Sequence, residues 1–123
     1  MNTSPTLEKK KLFPKVQLHM DALMIVYQNP ETKIWRGFAH PYGETTEAAT
    51  KKEAVKQIGE LTEAYGDTAH SYGNPAHLRH GRLTDTLDNE VFNHVYQDEH
   101  IMKTVHEKGS QNTSTLYVKA YKH

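Results

Sequence analysis

The chain has 123 residues, which is the size of one ordinary domain. Its 15 Lys and Arg residues are balanced by 15 Asp and Glu residues, and this balance disfavours nucleic-acid binding by bulk attraction to phosphate. The absence of cysteine excludes disulfides, thiolate nucleophiles and cysteine-ligated zinc. The longest apolar run, at 22–27, is much shorter than a membrane span, and no apolar segment follows the lysines at 9–11. We therefore expect a cytoplasmic protein that does not enter membranes.

Alternating apolar residues predict that the domain begins with a sheet. From Val16 every second residue is apolar as far as Val26, which is the period of a strand. The opposite face becomes apolar towards Tyr27, so we expect the end of this strand to be buried on both faces. Asn29–Thr32 predicts a turn. A second strand is expected at 34–39 and a short third strand at 44–49.

A helix is predicted at 50–65. Thr50 stands three residues before Glu53, which is the spacing of a capping box. Apolar residues then recur at helical spacing, and Gly66 is a natural terminator of such a helix. Gly59 lies inside the helix, where a glycine is unfavourable by roughly 1 kcal/mol relative to alanine. A close approach of the helix to the sheet would explain this glycine.

The second half of the chain is predicted to contain one further helix and a closing hairpin. Residues 67–82 are rich in glycine and histidine and read as a loop. Apolar spacings of three and four predict a helix at about 85–97. The segments 101–108 and 115–121 are expected to form the hairpin, because a polar, glycine-containing stretch separates them.

These elements predict an α+β fold with a mainly antiparallel sheet and two helices, in the order β-β-(β)-α-α-β-β. Residues 1–14 are polar and basic and are expected to form a flexible tail ahead of a single domain at 15–123. If the alternating strand at 115–121 lies at a sheet edge, its unpaired backbone groups are available to a second copy of the chain. We therefore predict a homodimer, with this sheet edge or its flanking face at the contact.

Residues 22–65 resemble the HicB-like antitoxin domain. The resemblance consists of a strand, a tight turn, an aromatic strand with Gly37 and Phe38, then Gly43, and the segment Thr50–Ala54 that opens an amphipathic helix. It implies a small domain of sheet and helix that binds a partner protein, often as a dimer. The link before the third strand departs from the family pattern, and no DNA-binding module is evident after residue 66, which leaves transcriptional autoregulation in doubt.

Histidine is the one enriched chemical group, with 9 residues. His70, His77 and His80 lie in the predicted loop, and converging imidazoles are typical of metal sites. Solvated histidines are the simpler interpretation, and the preferred prediction is that the protein has no metal and no cofactor. The alternative function is a small metal-dependent or histidine-dependent hydrolase that uses residues 70–100, with His94, Asp98 and His100 as acid and base groups.

The preferred function is non-catalytic binding of a protein partner, as in HicB-like domains. Tyr27, Trp35 and Phe38 are candidate contact residues, because aromatic side chains across a hairpin can form a stacking platform. Packing of these rings against a helix is the competing interpretation. Arg79 and Arg82 form a basic cluster that is either a second contact or a solvated surface. Binding of single-stranded nucleic acid to the aromatic hairpin is a less favoured possibility.

Overall fold

The computed structural model describes residues 20–79, 81 and 83–123, so the predicted tail at 1–14 and the predicted strand residues before 20 lie outside the described residues. The described part contains five strands and four helices. In chain order they are β1 (Ala22–Gln28), β2 (Trp35–His40), β3 (Thr45–Ala48), α1 (Lys51–Ser71), α2 (Ala76–Arg79), α3 (Thr86–Gln97), α4 (Glu99–Lys108), β4 (Ser110–Asn112) and β5 (Leu116–Tyr121).

The strands form one sheet in the order β3-β2-β1-β5-β4, and every neighbouring pair is antiparallel. The predicted α+β class and antiparallel sheet are therefore confirmed, as is the optional third strand. The predicted number of two helices is wrong, since the described residues alone contain four.

Helices cover both faces of the sheet, which gives three layers. Leu23, Ile25 and Tyr27 of the central strand β1 point to the face covered by α3 and α4, here called the α3/α4 face. The alternate residues Met24 and Val26 point to the face covered by α1, here called the α1 face. Successive side chains of a strand point to opposite faces, so a strand between two helical layers must be apolar throughout. The predicted burial of both faces near Tyr27 is confirmed.

The helix α1 begins where predicted but is longer. The Thr50 hydroxyl accepts a hydrogen bond from the Glu53 backbone N–H at 3.1 Å, which caps the first turn. The predicted end at Gly66 is wrong, because α1 continues to Ser71. Gly66 is buried against Tyr121: a Cβ there would lie 2.8 Å from the ring carbon Cε2. By contrast, a Cβ on Gly59 would meet no atom within 4 Å, so the close approach expected at Gly59 occurs at Gly66 instead.

Two predictions for the second half of the chain are corrected. The segment expected as a loop at 67–82 contains the end of α1 and the short helix α2. The segment 101–108, expected as a strand, belongs to α4. The Asp98 carboxylate caps α4 by accepting from the Ile101 N–H at 3.0 Å, and Gly109 ends it with a φ of 88°. The predicted helix at 85–97 is confirmed as α3.

The strand β5 does not lie at an edge of the sheet. It pairs with β1 on one side and with β4 on the other, and the Ala120 N–H donates to the Gly109 carbonyl at 3.0 Å. The backbone groups of β5 are therefore already paired within the chain. The prediction of a dimer contact through an unpaired edge at 115–121 is therefore wrong, and a contact through the flanking face of this strand stays a prediction.

Candidate functional site

Two of the three candidate aromatic contacts lie in the core. Phe38 is fully buried and Tyr27 is 5% exposed, and their rings pack edge to face with centroids 6.3 Å apart. Trp35 is partly exposed and lies under the Lys51 ammonium, with Nζ 5.9 Å from the ring centroid. The three rings therefore do not form a common surface on which a base could stack.

A charged cluster that the sequence did not indicate lies on the α3/α4 face. The fully buried Asp88 carboxylate accepts from Arg36 Nε at 2.9 Å and Nη2 at 2.6 Å, and from the Tyr27 hydroxyl at 2.6 Å. Arg36 Nη1 also donates to Glu47 at 2.6 Å. The hydrogen bonds to Asp88 raise the pKa of Arg36, while burial and then the bond to Asp88 raise the pKa of Tyr27.

This cluster is suited to holding α3 on the sheet. Asp88 lies in the first turn of α3, where a negative charge is also favoured by the helix dipole. Tyr27, Arg36 and Glu47 are paired across β1, β2 and β3. One guanidinium thus pairs with two carboxylates, and the cluster acts as an anchor between one helix and three strands.

The candidate metal ligands do not gather in the described residues. The ring of His70 stacks on the ring of His123 at 4.3 Å, and His123 Nε2 lies 2.8 Å from Asp67 Oδ1. His77 lies in α2, and His80 lies outside the described residues. Within 20–79, 81 and 83–123, no group of three or more His, Asp or Glu side chains could hold a metal ion.

The three candidate acid and base groups lie on α3, on α4 and at the junction between these helices. The Asp98 carboxylate is used as the cap of α4, while His94 on α3 and His100 on α4 are exposed. Of the two candidate arginines, Arg79 is the last residue of α2 and Arg82 lies outside the described residues.

A cavity of about 300 Å³ lies at the end of the sheet where β1 begins and β2 ends. Its aromatic lining residues already pack on other rings: His40 on Phe92 with centroids 4.2 Å apart, Phe92 on Tyr96 at 5.4 Å, and Tyr42 on Tyr65 at 4.8 Å. The one carboxylate in the lining, that of Asp21, accepts from the His123 backbone N–H at 2.8 Å. The groups that would meet a ligand here are thus engaged within the protein.

A longer groove lies between α1 and β5 on the α1 face. It consists of two adjoining cavities of about 500 and 410 Å³, which share Val55 and Tyr117 in their walls. We call it the α1/β5 groove. Its lining residues come from β1, α1, β4 and the end of the chain: Met24, Lys51, Lys52, Val55, Lys56, Gly59, Glu60, Glu63, Asn112, Tyr117, Lys119, Ala120, Tyr121 and Lys122.

Packing of α1 over β1 and β2 creates this groove. Ala54 and Ile58 hold the helix against that part of the sheet, so β5 is left beside the helix. On β5, Tyr117 and Tyr121 both point to the α1 face, where they are partly buried. Because Gly59 carries no side chain and its Cβ position faces open space, the groove stays open halfway along the helix. The floor is therefore apolar and accessible.

The rim of the α1/β5 groove is rich in lysine. Among the described residues, its walls contain five lysines and two glutamates, although the whole chain is balanced. Lys51 is hydrogen bonded to Asn112 and to the Thr113 carbonyl, and so ties α1 to the β4–β5 turn. The other four form no ion pair with a described residue. Their charges are available to a ligand.

Sequence reasoning did not find this groove. In the sequence its five lysines lie in two distant segments, 51–56 and 119–122. They become neighbours because β5 pairs with β1 beneath α1, and nothing local indicates that pairing. Gly59 is a local signal in this region, but a glycine inside a helix indicates a close contact as readily as an opening.

None of the described helices has the length and apolar character needed to cross a membrane. Comparison of the chain with protein-family models, with characterised proteins and with solved structures finds no match to any of them. The resemblance of residues 22–65 to the HicB-like antitoxin domain therefore stays a prediction.

Proposed function

We propose that the protein is a non-catalytic domain that binds another protein in the α1/β5 groove. The observation that carries this proposal is the combination of an open apolar floor with four lysines that lack partners among the described residues. A charged rim around an apolar floor is typical of a protein interaction surface, because the floor supplies affinity and the rim supplies orientation.

The length of the groove favours a polypeptide over a small molecule. Its helical wall runs from Lys51 to Glu63, which is about 18 Å along the helix axis. An extended chain rises about 3.3 Å per residue, so roughly five or six residues fit along the wall. A compact metabolite would occupy only part of this length.

Charge favours a protein over a nucleic acid. Glu60 and Glu63 line one end of the groove, and they would repel a phosphate backbone that followed its full length. Two of the three aromatic residues that could have stacked on bases are in the core.

The non-catalytic character of the proposal rests on what the candidate catalytic groups do. Asp98 is engaged as a helix cap. The buried Asp88 is paired with Arg36 and Tyr27. The resemblance to the HicB-like antitoxin domain also supports a protein partner.

Site-specific photo-crosslinking in native cells tests the proposal. A benzoylphenylalanine residue would replace either Lys56, which lines the groove, or Lys103, which is exposed on α4 on the other side of the sheet. We expect one protein to be crosslinked at position 56 and not at position 103. Purified together, that protein and this chain should form a complex that Lys56→Glu weakens about tenfold, as expected for a charge reversal at an interface.

The matched Lys103→Glu variant should leave the affinity unchanged. Crosslinks that are the same at both positions, or that form only at position 103, would overturn the proposal. A crosslinked protein whose affinity is equal for Lys56→Glu and Lys103→Glu would do so as well.

A further inference from the structure

The α1/β5 groove has an uneven distribution of charge along its length. Lys51, Lys52 and Lys56 line the end near the start of α1, whereas Glu60 and Glu63 follow towards its end. On the opposite wall, Lys119 lies between Tyr117 and Tyr121 on the same face of β5. Lys56 of α1 and Lys119 of β5 therefore line one cavity from opposite walls, and Glu60, Glu63 and Lys122 line the same cavity.

The opening at Gly59 lies in the cavity that Lys56 and Lys119 line. Gly59 and Lys56 line the same cavity as Met24 and Tyr121. A side chain at position 59 would project into space in which no atom lies within 4 Å of its Cβ. An apolar side chain from outside can enter this space and cover apolar surface of the floor, which is favourable at about 25 cal/mol per Å².

Resting on the proposed function, we infer that the groove binds an extended acidic segment of the partner, with one large apolar side chain inserted beside Gly59. Carboxylates on the segment meet the cations of Lys52, Lys56 and Lys119, which have no ion-pair partner among the described residues. The glutamates at the other end disfavour a segment that is acidic along its whole length, so they set its direction in the groove.

A displayed library of random peptides of about twelve residues, twice the length that the groove holds in extended form, provides the probe. The full chain is the bait. We expect the enriched peptides to be acidic and to contain a large apolar residue close to the acidic positions. A synthetic copy of the most enriched peptide should bind less tightly as salt is raised, because exposed charges are screened.

Gly59→Leu is the decisive variant, since it fills the opening without removing a charge. Leucine also has a higher helix propensity than glycine, and the space is open, so the variant is expected to unfold at no lower temperature than the original chain. Peptide affinity should fall about tenfold or more for Gly59→Leu and for Lys56→Glu. Ala64→Leu adds the same side chain at an exposed position of α1 outside the groove, and it should leave the affinity unchanged.

The outcomes separate this inference from the proposed function. If the enriched peptides are neutral or basic and Gly59→Leu lowers their affinity, the inference of an acidic segment is wrong, but the groove is still a binding site. If neither Gly59→Leu nor Lys56→Glu changes peptide affinity, the proposed function is wrong as well. Failure to enrich any peptide, or binding of an oligothymidylate that Lys56→Glu abolishes, would overturn the inference.

Discussion

The helices pack on the two faces of the sheet through different kinds of contact. On the α3/α4 face, a buried ion pair between Asp88 and Arg36 fastens α3 to the strands, and the hydrophobic core surrounds it. On the α1 face, contact depends on small residues: a Cβ on Gly37 would lie 3.1 Å from the Ile58 Cβ, and Gly66 lies against Tyr121. On the α3/α4 face the helices are held by a charge pair and a broad hydrophobic core. On the α1 face the helix is held by close approach of its backbone to the sheet.

This difference explains why the α1 face has a groove. Two helices, α3 and α4, share the α3/α4 face, whereas the single helix α1 packs on the other. Close packing at Gly37 holds the first half of α1 over β1 and β2, whereas Gly66 brings its second half against Tyr121 at the end of β5. The α3/α4 face is thus expected to respond to substitution mainly in stability, and the α1 face in both stability and binding.

The largest effect is expected at the charge pair of the α3/α4 face. Asp88→Ala should lower the free energy of unfolding by about 3–5 kcal/mol, because it leaves the largely buried Arg36 without its partner. Glu47→Ala removes the other carboxylate on Arg36, which is 58% exposed, and should lower stability by less than about 1 kcal/mol. Urea denaturation measures both. Equal losses in the two variants would show that Asp88 is not the anchor.

Substitutions of Gly59 and Gly66, which lie in the same helix α1, are expected to change stability in opposite directions. Gly66→Ala should lower the free energy of unfolding by about 1–3 kcal/mol, because the added carbon overlaps the Tyr121 ring. Gly59→Ala should raise it by up to about 1 kcal/mol, because the helix gains propensity and nothing is displaced. Thermal and urea denaturation of the two variants should therefore shift in opposite directions. A loss of stability in Gly59→Ala would contradict the open space at that position.

The start of α1 offers a smaller test. Thr50→Ala removes the acceptor for the Glu53 N–H and should lower the free energy of unfolding by about 1 kcal/mol. Thr50→Asp restores an acceptor, so it should recover most of the loss. A Thr50→Asp variant as unstable as Thr50→Ala in urea would show that capping does not explain the effect.

The smallest effect is a pH dependence at the turn between β2 and β3. Burial raises the pKa of Glu44 from 4.5 to about 7, and its Oε1 is buried without a hydrogen-bond partner among the described residues. The folded chain therefore holds this proton to a higher pH than the unfolded chain does. Stability should fall as the pH rises from 4.5 to 7, by less than about 1 kcal/mol for a group that is partly solvated.

Glu44→Gln removes this titration. The free energy of unfolding of this variant should equal that of the original chain near pH 4.5. The variant should become the more stable of the two as the pH rises, and the difference should be constant above 7. A difference between the two chains that does not change across this range of pH, measured by urea denaturation, would contradict the raised pKa.

Much of the fold could be predicted from local signals. The alternation that ends at Tyr27 indicated a strand buried on both faces, and Thr50 marked the start of α1. Misassignments arose where a local signal had two meanings. Gly66 resembles a helix end but is a contact point for Tyr121, which follows it by 55 positions and is therefore not visible locally. Ile101, Met102 and Val105 have helical spacing, and Asp98 and Gly109 are cap signals, yet the apolar segment is short enough to be taken for a strand.

The candidate site could not be predicted, because it depends on pairing between distant segments. The basic residues Lys52 and Lys56 lie on one wall of the groove and Lys119 on the other, and only the pairing of β5 with β1 brings them together. The same holds for Arg36 and Asp88, which are separated by 52 positions. A single sequence contains no local signal for either contact.

The most direct test of the account is a map of the residues that respond to an acidic peptide. Backbone amide signals of the isotope-labelled chain would be followed by two-dimensional NMR during titration with the most enriched peptide from the displayed library. We expect the largest shifts at 52–63 and 117–122, on the two walls of the α1/β5 groove, and we expect signals at 86–108 in α3 and α4 to stay in place. Shifts concentrated at 86–108, or absent from 52–63 and 117–122, would contradict it.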